Sequence, residues 1–394
     1  MSYDFDKSPD RRGTLSNKWD RVGELFGNPE ALPMWVADTD FECPRPVMDA
    51  LRGRLEHPVF GYHFPPESLL EAIVDRMWEH HGWRIEPEWI VPGTGVITAL
   101  GAALETVSDV GDEIILQPPV YYPFFSSVGD SGRRVAENRL ILENGRYRMD
   151  FEGLKDLCRS KTTFPAREPR VAALVLCSPH NPVGRVWSAD ELEELGRICL
   201  ERDIALVSDE IHCDLVLGGA RHTVAASISE EMSANTITLM SANKTYNLPG
   251  LKSSFSIIPD EGMRRRFALA SRGGGSPNSL GLVALEAALR DADGYLGALL
   301  EYLEENLEIF REGVADLTGV RLIEPEGTYL VWLDMRDLGM DDGDLARFMV
   351  HEVGLAPDYG FAFGAGGEGF QRINLGCTRD TLREAVTRLR AALS

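Results

Sequence analysis

The sequence predicts an α/β fold, with a mostly parallel sheet in a large domain and a smaller α/β domain at the C-terminal end. Three observations predict it. From about residue 90 to 260, short apolar β-branched runs alternate with amphipathic stretches, the pattern of strands joined by crossover helices. Those runs are nearly continuous in apolar residues, as strands covered on both faces are. Past Ser279 a long helical stretch leads into a second strand–helix block of its own. The expected division is an N-terminal arm over 1–45 that packs with the small domain, a large domain over 46–285 and a small domain over 286–394.

Taken in order, the first 45 residues lack clear periodicity and are expected to pack as an arm. His80 and His81 end a charged helical stretch and are expected at the surface. VPGTGVITALGAAL (91–104) reads as a glycine turn opening into an apolar helix. EIILQ (113–117), VAALVLC (171–177), IALVSDE (204–210) and TITLMSA (236–242) read as strands. SADELEELGRICLERD (188–203) has helical spacing, and Ser188 with Glu191 three residues on makes a capping box. From Ser279 to about Leu317 the pattern is helical with a break at Asp291–Gly294. YLVWLDM (329–335), a short helix near DDGDLARFMV, a glycine-rich loop and FQRINLGC (370–377) close the chain.

Composition narrows the function. The chain has 394 residues, 44% hydrophobic and 26% charged, which suits a globular protein with a sizeable core. Its 40 Lys+Arg against 62 Asp+Glu give a net charge of −22, a field that repels nucleic-acid backbones, and no basic patch offsets it. No uncharged apolar run approaches the roughly 18 residues of a membrane span. The N-terminal segment has no apolar h-region, so no secretory signal is expected. Cys43, Cys158, Cys177, Cys199, Cys213 and Cys377 lie far apart with no C-x-x-C spacing. Neither a zinc site nor a disulfide framework is therefore expected, and a reducing cytoplasm fits. The expectation from these features is a soluble, acidic, cytoplasmic protein that works as an enzyme.

Ligands of doubly wound sheets sit at the carboxyl ends of the strands. After VAALVLC comes SPHNPVG (178–184) with Asn181; after IALVSDE come Asp209, Glu210 and His212. After TITLM comes SANKTYNLPGLK (241–252) with Lys244 and Lys252. The Gly93–Val96 turn before its helix offers backbone N–H groups suited to a phosphate. Each has an ordinary structural reading: a common turn, a helix cap, a surface lysine, a structural histidine. Their convergence on one sheet edge is what points to chemistry.

SANKTYNLPGLKSSF, with SDEIHCDL, SPHNPVGRVW, PPVYYPFF and MWVADTDF, resembles the fold-type I pyridoxal-phosphate (PLP) enzymes of the class I/II aminotransferase superfamily. More narrowly, RRGTLSNKWD and LPMWVADTDF resemble the MalY/PatB-type cystathionine β-lyase (C–S lyase) subgroup, with Thr39 where that resemblance leads one to expect Met. The likeness runs from about Phe5 to the C-terminus.

The resemblance implies a PLP-dependent transferase-like fold and a role for each residue. Lys244 matches the lysine that forms a Schiff base with pyridoxal 5′-phosphate and then serves as general base. Asp209 matches the carboxylate that keeps the pyridine nitrogen protonated. Asn181 and His212 match the groups facing the ring's phenolic oxygen, and Tyr121 the aromatic stacked on the ring. Gly93, Thr94, Gly95, Val96, Ser241 and Lys252 would hold the phosphate. Tyr62 matches a tyrosine that reaches the neighbouring subunit's phosphate, which implies a homodimer with active sites at its interface. Arg372 would fork the substrate's α-carboxylate, with Asn181 and the backbone near Ala37 beside it. Tyr62 or Tyr121 would assist the leaving thiol. The implied reaction is β-elimination from L-cystathionine, cysteine or another cysteine S-conjugate, giving pyruvate, ammonia and a thiol. Two alternatives share these residues: a class I/II aminotransferase, and a regulatory protein that keeps the fold and contacts a protein partner.

Overall fold

Strands form where apolar, β-branched residues cluster between turn formers. In the computed structural model, which describes residues 3–159 and 170–393, seven strands make one sheet. They are β1 (Ile90–Gly93), β2 (Glu113–Leu116), β3 (Arg134–Glu137), β4 (Val171–Cys177), β5 (Ala205–Asp209), β6 (Thr236–Met240) and β7 (Ser254–Ile257). Their spatial order is β1-β7-β6-β5-β4-β2-β3. β7 is antiparallel to both neighbours, and every other pairing is parallel. The four strands expected from apolar runs are all present, β4 with the expected bounds and the other three trimmed by one or two residues. β7 has no such run: Ser254 and Ser256 alternate with Phe255 and Ile257, yet all four are buried.

Helices cover both faces. Val96–Val107 lies against the middle strands, and its apolar residues seal one side. Ala189–Glu201 covers the other through Leu192, Leu195 and Ile198. Its capping box forms as expected: Glu191 N–H donates to Ser188 Oγ at 3.2 Å, and Ser188 N–H to Glu191 Oε2 at 2.9 Å. The long helical stretch breaks where expected, into Ser279–Asp291 and Asp293–Val314. The first half packs on helices Arg45–Leu55 and Glu67–His81, the second on Arg379–Leu393.

The C-terminal strands β8 (Arg321–Ile323), β9 (Leu330–Asp334), β10 (Asp358–Tyr359) and β11 (Phe370–Asn374) form an antiparallel sheet of order β8-β9-β11-β10. Beside it, Leu32–Pro33 pairs in parallel with Leu355–Ala356, which fixes the N-terminal segment there. From that anchor the chain crosses to the large sheet and is clamped from two sides. Asn374 Nδ2 donates to the Val36 and Asp38 carbonyls at 2.6 and 2.7 Å. Asn247 Nδ2 donates to the Thr39 and Phe41 carbonyls at 2.9 and 2.8 Å. Below, Asp40 pairs with the fully buried Lys18 at 2.8 Å and with Arg11 at 2.8 Å. Burial alone would raise the Asp40 pKa, but Lys18, Trp19 and Arg11 together hold it below the ordinary range.

One expectation is corrected. His81 is not at the surface: its side chain is 4% exposed and lies 3.8 Å from Asp214. Asp214 also pairs with Arg76 at 2.9 Å, and burial lowers the His81 pKa to about 4. All six cysteines are free, and no helix among the described residues is long and apolar enough to cross a membrane.

The loop that returns the chain to β11 depends on a close backbone approach at Gly360. A Cβ there would sit inside contact distance of the Gly367 and Phe370 carbonyl oxygens, which are backbone atoms and cannot swing away. Gly360→Ala should therefore cost about 3 kcal/mol and lower the melting temperature by several degrees. Calorimetry showing an unchanged midpoint would contradict this packing.

Candidate active site

Strand direction places the chemistry. Antiparallel pairing of β7 with both β1 and β6 leaves the other six strands pointing one way, so their carboxyl ends share one edge. There, Asn181 follows β4, Asp209 ends β5, Lys244 follows β6, and Thr94–Val96 join β1 to its helix. These residues line a cavity of about 370 Å³ together with Ala37, Tyr121, His212 and Lys252. Successive residues of a strand face opposite ways. Glu210 accordingly turns into the core, where Ser208 Oγ, His222 Nε2 and Ala225 N–H bond it at 2.7, 2.7 and 3.1 Å. Asp209 is left to the cavity.

The Lys244 amine donates to the Ala37 carbonyl at 2.6 Å, and Tyr329 Oη donates to the same oxygen at 3.1 Å. Burial lowers the amine's pKa to about 8; the Arg372 charge adds to this, while Asp38 and Asp209 oppose it. Asp209 moves the other way. Burial raises its pKa to about 7 against the Ile211 N–H bond at 3.1 Å and the charge of Lys244. His212 is held neutral by burial, with Lys244 and Arg372 acting in the same direction, and its Nδ1 has no partner among the described residues. Burial likewise raises the Tyr121 pKa, so the hydroxyl keeps its proton at neutral pH.

Arg372 stands directly behind this lining. Its Nη1 donates to Asn181 Oδ1 at 2.9 Å, and its Nη2 donates to the Trp35 carbonyl at 2.7 Å and to the Asp358 carboxylate. The guanidinium lies 5.0 Å from the centre of the Phe363 ring. At the opposite end, Val96, Ile97 and Thr98 open a helix, where the first-turn N–H groups have no intrahelical acceptor. Lys252, in the left-handed region at φ +52°, makes no ion pair among the described residues.

Ten of the fourteen expected residues line the cavity: Ala37, Thr94, Gly95, Val96, Tyr121, Asn181, Asp209, His212, Lys244 and Lys252. Gly93 lines an adjoining hollow instead, beside Ser254 Oγ. Ser241 was expected to offer its hydroxyl to a phosphate, but that hydroxyl serves its own loop. It donates to the Ser253 carbonyl at 2.7 Å and accepts from Asn243 N–H at 3.1 Å. Tyr62 lies fully exposed on the surface, outside its own chain's cavity. Arg372 reaches the cavity through Asn181.

Sequence patterns had given no sign of Ile97, Thr98, Cys177, Ile211, Asn243 and Pro249, which also line the cavity, or of Tyr329 and Asp358 behind it. The first six are neighbours of residues that were expected. The last two meet the site only through the C-terminal sheet.

A cavity with a cation-seeking carboxylate, a depressed lysine and an anion-seeking helix end belongs to a recognisable family. The model for "Aminotransferase class I and II" matches residues 38–389. The chain belongs to that family. Within it, the chain is 40% identical to cystathionine beta-lyase PatB of Bacillus subtilis (strain 168), over 99% of this chain and 100% of the relative. Cystalysin from Treponema denticola, solved with pyridoxal 5′-phosphate, superposes with a TM-score of 0.95 at 35% identity, covering 100% of this chain and 99% of the other. A PLP-bound C–S lyase from Staphylococcus hominis superposes with a TM-score of 0.91 at 30% identity, covering 100% and 98%.

The depressed lysine of this family member is measurable without any ligand. In competitive labelling of the cofactor-free chain with an amine reagent, Lys244 reactivity should rise through about pH 8, because only the neutral amine reacts. Arg372→Met removes a neighbouring cation and should move that midpoint upward. A midpoint that does not move would show that Lys244 does not feel the guanidinium.

Proposed function

We propose that this aminotransferase-family protein is a PLP-dependent carbon–sulfur β-lyase that cleaves L-cystathionine or related cysteine S-conjugates to pyruvate, ammonia and a thiol. The observation that carries the reading is the pairing across one cavity of Lys244, its pKa lowered to about 8, with the buried Asp209 carboxylate. Full-length similarity to PatB and to C–S lyases of known structure supports it.

The cavity fits the cofactor at both ends. Asp209 accepts one backbone hydrogen bond and has no cationic hydrogen-bond partner among the described residues, which suits the protonated nitrogen of a pyridine ring. Lys252 and the first turn of the Val96–Val107 helix suit a phosphate. His212 Nδ1, buried and without a partner among the described residues, and Asn181 suit the ring's oxygen. When bound, pyridoxal phosphate supplies a ring that accepts the electron pair left at the substrate's Cα.

The chain's residues then have separate tasks. Arg372 binds the α-carboxylate and Asn181 steadies the guanidinium, so the substrate is held by the end that does not react. Lys244 Nζ takes the Cα proton; a pKa near 8 lets it accept and return that proton close to neutral pH. Asp209 keeps its negative charge beside the ring nitrogen once a cation faces it. As the Cβ–S bond breaks, the electron pair leaves with sulfur, and the Tyr121 hydroxyl, which burial keeps protonated, donates a hydrogen bond to the departing thiolate. The ammonium that Lys244 becomes on taking the Cα proton is the stronger acid that can return a proton. Water converts the remaining three-carbon fragment to pyruvate and ammonia.

The working unit in this reading is a homodimer. Val59, Phe60, Tyr62 and Phe64 are exposed by 60%, 57%, 110% and 81% in one loop, more apolar surface than a monomer keeps without reason. A second copy would cover it and receive Tyr62. The free, dispersed cysteines fit a reducing compartment such as the cytoplasm.

Given S-methyl-L-cysteine or L-cystathionine and no keto acid, the protein should release pyruvate, ammonia and thiol in equal amounts over many turnovers. Turnover that halts after one equivalent and resumes only on addition of a keto acid would make it an aminotransferase. Sedimentation should give about twice the chain mass, and Tyr62→Ala should weaken cofactor retention; an active monomer would remove Tyr62 from the site.

A further inference from the structure

A guanidinium has five N–H donors in a rigid plane, and both of its two-donor edges share Nη2. One edge pairs Nη2 with Nε, the other pairs Nη2 with Nη1. In this protein both Nη2 protons are taken, one by the Trp35 carbonyl at 2.7 Å and one by the Asp358 carboxylate. Nη1 is tied to Asn181 at 2.9 Å, and Nε has no partner among the described residues. A planar carboxylate arriving at Arg372 therefore finds neither edge complete. It must displace one of the two acceptors on Nη2.

The two acceptors are not alike. Trp35 offers a backbone oxygen from the clamped N-terminal segment, with no charge and little freedom. Asp358 offers a carboxylate, chemically the same group as the ligand. It sits on β10 directly opposite Arg372 of β11, so the two side chains share one face of the sheet. Its side chain is 13% exposed and that of Arg372 2%. Burial raises the Asp358 pKa in spite of the guanidinium beside it, so its charged form is held at a cost. The pair is thus poised for exchange.

We propose that Asp358 is an internal competitor for the substrate's α-carboxylate: it caps the Arg372 fork in the empty site and is displaced when substrate binds. Asp358 acts through Arg372 and is a positioning residue. It keeps a buried cation paired between turnovers, and it weakens the binding of any carboxylate by the energy of the contact it gives up. This inference rests on Arg372 being the carboxylate site of the proposed lyase.

The test uses 3-(methylthio)propionate, which has the substrate's thioether and carboxylate but no amine, so it can bind the holoenzyme without entering the reaction. Asp358→Asn keeps the shape and a neutral acceptor for Nη2 but removes the competing charge. Calorimetric Kd for the probe should fall by roughly tenfold, and KM for S-methyl-L-cysteine should fall in step, with kcat changed less than about twofold. Asp358→Ser serves as a second variant, with water in place of the carboxylate, and should move both constants the same way. Arg372→Lys is the control and should weaken the probe strongly. If Arg372→Lys weakens it while neither Asp358 variant tightens it, Asp358 is no competitor and the inference falls alone. If Arg372→Lys leaves the probe's Kd unchanged, the carboxylate site is elsewhere and both assignments fall.

Discussion

Two cations buried within reach of each other, Lys244 and Arg372, set the terms for the rest of this site. Removing a charged amine and a guanidinium from water is costly, and the charges also repel. The structure answers them differently. Arg372 stays charged, so it is surrounded by acceptors: Asn181, the Trp35 carbonyl and Asp358. Lys244 can give up its proton, so it is offered a neutral carbonyl, that of Ala37, and its pKa falls to about 8. The same dryness raises Asp209 to about 7. Burial thus brings a base and an acid from opposite ends of the pH scale into one neutral range.

Two of those acceptors, Trp35 and Ala37, lie on the N-terminal segment, far in sequence from the lysine and arginine they serve. Their carbonyls are placed by a chain of pairings: Leu32–Pro33 against Leu355–Ala356, then Asn374 and Asn247 gripping residues on either side. Asn247 belongs to the same loop as Lys244, and Asn374 to the same strand as Arg372. Each cation-bearing element therefore also holds the segment that satisfies the other's surroundings. The buried Lys18–Asp40 pair fixes the segment's far end. Small shifts of the arm would be felt at both cations together, which is why the arm belongs to the active site although it carries few reacting groups.

Local chemistry explains what was legible in the sequence. Strands β2, β4, β5 and β6 are apolar runs between turn formers, and the Ser188 cap is a four-residue signal, so both can be read along the chain. Asn181, Asp209, His212 and Lys244 follow strand ends, where position alone suggests a ligand. What failed depends on contacts across the chain. Asp358 meets Arg372 only once β10 and β11 are in register. Ser241 looks like a free hydroxyl until Ser253 is seen beside it. His81 looks like surface charge until Asp214 and Arg76, from other elements, enclose it. β7 hides because its serines are buried in an interior strand, next to the sheet's edge, where an apolar run would be expected.

The cavity's charge distribution also bears on which substrate it accepts. With Arg372 proposed for the α-carboxylate and Lys252 for the phosphate end, the cation that remains among the described residues of the lining is Lys244, the proposed base. Among the described residues of that lining, no further cation would pair with a carboxylate carried directly on Cβ, as in aspartate. Besides its three acceptors, Arg372 has aromatic rings near it. Phe363 lies beneath its guanidinium, Tyr122 meets Phe363 edge-on at 5.6 Å, and Tyr121 meets Tyr122 at 5.4 Å. Of these rings Tyr121 lines the cavity, Phe363 is buried behind it, and Tyr122 is 37% exposed, so the aromatic wall opens towards solvent. Ring edges attract a polarisable sulfur and tolerate an apolar substituent on it, whereas they offer no counter-charge to an anion. A neutral thioether on Cβ is therefore the side chain this wall fits. It is also the side chain whose leaving group departs as a thiolate, so the selectivity of the wall and the chemistry of elimination point to the same substrates.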